Sequence, residues 1–149
     1  MRTDLPSMNA GKAMAQASHA SNAFVKMAEG DLHEIRAQMT EQWKTETSQG
    51  FGTVLVLAAT QKEIEDAVEA ARLNMLIAGQ VTDPTYPYRV DNIEIANLIP
   101  TSVDTAPRSV PLDTKTPVTL YRREVTCGFI FGDKDDYAGE VVKHLKLHP

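Results

Sequence analysis

The chain contains one cysteine, Cys127, in 149 residues. A single cysteine excludes an internal disulfide framework and any zinc site built from several thiolates, so a reducing compartment is the simplest expectation. No apolar run approaches the ~20 residues of a membrane-spanning helix, and the first residues lack the apolar stretch of a secretory leader. The expected location is the cytoplasm, with no membrane partner. Excess positive charge is missing too. The net charge of −5 counts against a broad electrostatic grip on nucleic acid, because phosphate neutralisation drives most such binding. A small local patch remains compatible with that charge. Lys12, Arg122, Arg123, Lys143 and Lys146 are its candidates, with scattered solvated side chains as the alternative. Internal repeats, low-complexity tracts and serine–histidine–acid or cysteine–histidine arrays are all absent.

What is present is the profile of a globular protein, 42% hydrophobic and 23% charged. A chain of this length buries roughly 70% of its unfolded surface, so one domain spanning 1–149 is expected. "MRTDL" is β-compatible and stops at Pro6. Asn9 or Ser7 caps a first helix running to Gly30, a C′ glycine. Ala13, Ala17, Ala20, Phe24 and Met27 form its apolar seam. Asp31 caps a second helix to about Thr45, with Leu32, Ile35, Met39 and Trp43 as apolar positions. "FGTVLVLAA" (51–59) reads as a strand covered on both faces. "TQKE" (60–63) is a capping box that opens a helix ended by Gly79. "QVTD" is then a strand stopping at Asp83-Pro84, which makes 53–83 a parallel βαβ unit.

From 84 to 117 the pattern weakens, and the stretch carries five of the eight prolines after Pro84 itself. This stretch is expected to be a long inserted loop, anchored at Ile93, Ile95, Leu98 and Ile99. "VTLYRREVTCGFIFG" reads as a strand and "DKDDYAGEVVKHL" as a closing helix before "KLHP".

On the first helix, Lys12, Gln16 and His19 share one stripe at about 100° per residue. Around them the small residues allow close approach to a sheet. The pattern GK-x-x-x-Q-x-x-H-A sits within "RTDLPSMNAGKAMAQASHA" at 2–20. With Asp83 closing the βαβ unit, "EVTCGFIFG" at 124–132 and "HLKL" at 144–147, it resembles the type 2 peptidyl-tRNA hydrolases of archaea and eukaryotes. The resemblance implies an α/β single domain with a four-stranded mixed sheet covered by helices on both faces. It also implies cleavage of the ester between a peptide and the terminal ribose of tRNA, without metal or cofactor, and a homodimer. The family's functional lysine falls on Lys12 and its aspartate on Asp83. Its threonines fall on Thr126 and, as a near match, Thr85. The chain departs from the family in its short first strand, in "DPTYPY" where the family has a small turn after the aspartate, and in a longer connection to the last strand. A non-catalytic RNA- or protein-binding module on the same scaffold is the competing expectation.

Ester hydrolysis needs an activated water and a group that stabilises the oxyanion. Asp83, at a strand end, suits the first role, with a simple turn cap as its alternative. Lys12 stands in the first helical turn, where a cation opposes the helix dipole by a few tenths to about 1 kcal/mol. With the helix N-terminus it makes an anion site, unless it is merely solvated. Gln16, His19, Arg122 and Arg123 are candidate substrate contacts, with a structural role favoured for His19. Cys127 reads as a small core residue. Strand alternation turns its neighbour Thr126 to the other face. Tyr86, Tyr88, Arg89 and Tyr121 are either stacking platforms for a base or ordinary packing residues.

Overall fold

A computed structural model describes residues 1–5, 7–31, 33–90, 118–133 and 135–149. The elements are α1 (Ala10–Glu29), α2 (Glu34–Thr45), β1 (Leu57–Ala58), α3 (Gln61–Leu73), β2 (Ile77–Val90), β3 (Val118–Phe131), α4 (Tyr137–Val142) and β4 (Lys146–Leu147). Asn9 caps α1, its side chain accepting from the Lys12 amide. Gly30 closes α1 at φ −91° and is not left-handed. Asp31 is not the cap of α2. His33 holds that position, while the Asp31 carboxylate accepts from the His33 amide at 2.9 Å and pairs with Arg36 at 2.7 Å. At α3 both arms of the Thr60–Glu63 capping box form.

The strands depart from expectation. Of 53–58, only Leu57–Ala58 is strand. Glu46, just beyond α2, accepts from both the amide and the hydroxyl of Thr53 at 2.9 Å, and Trp43 donates to the Thr53 carbonyl at 3.2 Å. These bonds take the backbone and side-chain groups that a strand would turn to a neighbour, and Val54 and Leu55 stay exposed. Among the described residues the strands form two two-stranded sheets, β1–β4 and β2–β3, with antiparallel strands, and not the single four-stranded mixed sheet expected. β1 and β2 therefore do not form one parallel βαβ sheet. Residues 1–3 reach both sheets: the Arg2 amide donates to the Thr126 carbonyl at 3.1 Å and the Thr3 amide to the Ala59 carbonyl at 3.0 Å. Only a single parallel bridge, Arg2↔Ala59, results, because the segment is too short to build a ladder.

Pro84–Val90 continues β2 and is not loop. In a two-stranded ribbon each strand is an edge, where proline's missing N–H is tolerated. The expected anchors Ile93, Ile95, Leu98 and Ile99, the rest of 91–117, and Leu32 lie outside the described residues.

The chain divides into two compact units, Met1–Asp83 with Val125–Pro149, and Pro84–Glu124. In the first, alternate residues of β3 from Cys127 onward turn to opposite sides. Cys127 packs with Met1 and Ala13, flanked by Ala17, Ala20 and Val81. Phe129 and Phe131 join Phe24, Ala28, Ile77 and Trp43, with Phe24 and Phe131 ring centroids 4.5 Å apart. On the other side Ile130 joins Ile64, Val68, Ala71 and Ala78. A Cβ on Gly128 would lie 2.8 Å from Ile64, so glycine is what lets α3 approach. In the second unit Tyr86 is buried and meets Tyr88 edge-on at 5.4 Å. Arg122 lies 3.9 Å over the Tyr88 ring and pairs with Glu124 at 3.1 Å.

Candidate functional site

The small residues of α1 do what their size allows: Ala13, Ala17 and Ala20 bring the helix against Cys127 and Val81. One side chain in that contact is polar. Gln16 is 5% exposed, and a buried amide needs partners. Its Nε2 donates to Asp83 Oδ2 at 3.2 Å. Its Oε1 accepts from Thr126 Oγ1 at 2.6 Å. Thr126 is fully buried, and its hydroxyl also lies 3.3 Å from the Val81 carbonyl. The neighbouring Cys127 thiol donates to the Gln16 backbone carbonyl at 3.3 Å. Strand alternation alone would part Thr126 from Cys127, yet both bond to Gln16. The thiol meets its backbone, and the long side chain carries its amide on to the hydroxyl.

Lys12 precedes Gln16 by one helical turn. It is half-buried, and no acidic residue accompanies it in the first turn. Asp83 is half-buried too, and it stands inside β2, which runs on to Val90. The expectation that it ends a parallel strand does not hold. Burial pushes the Cys127 thiol above its ordinary range. The thiol is therefore neutral at pH 7 and does not serve as a thiolate nucleophile.

Hydrogen bonds thus gather Gln16, Asp83 and Thr126 from three elements. His19 is exposed on α1. Thr85, Arg122 and Arg123 are exposed residues of the Pro84–Glu124 unit. Hydrogen bonding to Tyr88 stabilises the charged form of Arg122, whereas burial pushes the Tyr88 hydroxyl up. The Val81 carbonyl is a site group that the sequence could not single out, because every residue carries a carbonyl. Among the described residues no three His, Cys, Asp or Glu side chains are grouped to hold a metal ion, and no helix is long and apolar enough to cross a membrane.

A lysine in the first turn of a helix, followed by a buried amide that ties a strand carboxylate to a buried hydroxyl, defines a polar site in a mixed α/β protein. The chain belongs to the peptidyl-tRNA hydrolase PTH2 family, whose model matches residues 1–109. Lys12, Gln16, His19, Asp83 and Thr85 fall inside the matched segment, and Arg122, Arg123 and Thr126 fall beyond it. No curated protein and no solved structure matches the chain.

Proposed function

We propose that this chain hydrolyses the ester joining a peptide, or an N-blocked amino acid, to the terminal ribose of tRNA, releasing free tRNA without metal or cofactor. The observation that carries the reading is the hydrogen bond from Gln16 to Asp83, which fixes a carboxylate beside the lysine-bearing helix of a PTH2 family member. Asp83 accepts a proton from water as the water oxygen bonds to the ester carbonyl carbon. The Lys12 ammonium and the first-turn amides of α1 stabilise the oxyanion. The bond from carbonyl carbon to ribose oxygen then breaks, and Asp83 returns the proton to the ribose oxygen. Gln16 and Thr126 hold Asp83. Thr85 stands as the near match to the family's other functional threonine. His19, Arg122 and Arg123 meet the tRNA. The full reading is a single domain over 1–149, acting in the cytoplasm as a homodimer.

The test is turnover of an N-acetylaminoacyl-tRNA. Lys12→Ala and Asp83→Ala should each lower kcat/KM at least tenfold, about 1.4 kcal/mol of barrier, with melting temperatures near the parent's. Equal activity in parent and variants removes both residues from the mechanism.

A further inference from the structure

We propose that Thr126 is a positioning residue that acts through Gln16, letting one amide satisfy Asp83 both with and without its proton. The proposal rests on the reading of Asp83 as the group that takes up a proton and gives it back. Such a group must be stabilised in both states, and a buried amide with one fixed orientation favours only one of them.

Thr126 removes that restriction because its hydroxyl has two acceptors in reach, Gln16 Oε1 at 2.6 Å and the Val81 carbonyl at 3.3 Å. A hydroxyl donates once and accepts through its lone pairs. With Asp83 ionised, the hydroxyl donates to Gln16 Oε1 and Gln16 Nε2 donates to the carboxylate, the arrangement the structure contains. With Asp83 protonated, rotation of the amide by 180° exchanges its two ends. The new carboxyl O–H donates to Oε1, Nε2 donates to Thr126 Oγ1, and the hydroxyl turns its proton to the Val81 carbonyl. The carboxyl group, the amide end that faces it and the Thr126 hydroxyl each keep a hydrogen-bond partner in both states. The two ends of an amide are nearly equal in size, so the exchange needs no repacking. A valine at 126 fills the same volume but leaves the end of the amide away from Asp83 with no partner to accept from or donate to.

Other charged or titratable groups lie on the elements that carry this network. Lys12 lies one turn before Gln16 on α1, and Cys127 on β3 is held neutral by burial. The guanidinium of Arg2 bonds Asp4, Gln61 and the Val125 carbonyl, and the Met1 amine bonds the Leu57 carbonyl.

The experiment compares the full-length parent with Thr126→Ser, Thr126→Val, Gln16→Met and the double variant. Two measurements are made: the Gln16 side-chain amide resonances in ¹⁵N–¹H spectra, and kcat and KM on N-acetylaminoacyl-tRNA. In the parent, acidification should move the Gln16 resonances to a second position. Thr126→Ser should keep that response and kcat within about threefold. Thr126→Val should abolish the response and lower kcat at least tenfold, with KM within about twofold. In the Gln16→Met background the valine should cost nothing more, because residues acting as one unit are not additive. Additive losses, or Gln16 resonances indifferent to the valine, overturn the proposal. A parent that turns over no ester, but whose Gln16 resonances respond as stated, defeats the proposed activity and leaves the positioning network standing. Thr126→Ala supplies the same comparison if the valine variant does not fold.

Discussion

Arg2 donates to Asp4 at 3.1 Å, to Gln61 at 2.9 Å and to the Val125 carbonyl at 2.9 Å, and is itself buried. One side chain thus joins the N-terminal segment to the start of α3 and to β3. For Asp4, burial works to raise the carboxyl, but the hydrogen bonds and charge of Arg2 outweigh it and the net shift is downward. A carboxyl whose folded pKa lies below its unfolded one stabilises the fold fully above the ordinary carboxylate range. That contribution is lost as pH falls through the depressed value. The Asp4 side chain is 38% exposed, so solvent screening keeps the contribution small. Asp4→Asn should lower the melting temperature at pH 7, and the gap should shrink once pH drops below about 4. A gap that does not change with pH would mean that Asp4 acts by shape rather than charge. At the same scale Gln16 shows what could be read from sequence. A polar residue on an alanine seam was visible as an anomaly, but its partners lie 67 and 110 positions away and no local pattern names them.

Elements whose signals are local were legible, and elements whose partners are distant were not. The bounds of α1 and the Thr60 capping box follow from residues within four positions of each other. β1 was overextended because an apolar run says nothing about what its backbone bonds to. The end of α3 was placed too late, at Gly79. The helix closes at Asn74 with Met75 in the left-handed region, φ 60°. There the Leu76 amide bonds the Ala71 carbonyl at 3.0 Å and the Met75 amide bonds the Arg72 carbonyl at 2.9 Å, a pattern that usually recruits glycine. A side chain in that conformation costs roughly 1–2 kcal/mol, partly offset in Met75→Gly by the freer unfolded chain. Met75 is exposed, so little packing is lost. Met75→Gly should raise the melting temperature, by the equivalent of up to about 1 kcal/mol. A lower melting temperature would show that the methionine makes contacts worth more than the strain.

For the molecule as a whole, the proposed activity requires a protein of net charge −5 to hold a polyanion. Contact with two or three phosphates gives a log–log salt slope for tRNA binding of roughly −1.5 to −3. Arg123 should contribute more of that slope than Arg122, whose charge already meets Glu124 and the Tyr88 ring. Binding of deacylated tRNA across a salt series checks this, and a slope near zero in parent and Arg122→Ala/Arg123→Ala alike rules out electrostatic capture. The family was legible from "RTDLPSMNAGKAMAQASHA" with Asp83, "EVTCGFIFG" and "HLKL", but the sheet arrangement was not, since β4 and residues 1–3 find their partners across most of the chain. That separation sets an order of events during synthesis. Arg2 and α1 leave the ribosome early, yet the Arg2 amide bonds Thr126 and Leu57 pairs with Leu147. The nascent chain must carry an open α1 seam, with the Gln16 amide bonded to water and not to its native partners, until β3 has emerged. Loop closure over such spans makes folding slow, so exposure of that seam during translation leaves this chain open to capture by chaperones or to misassembly.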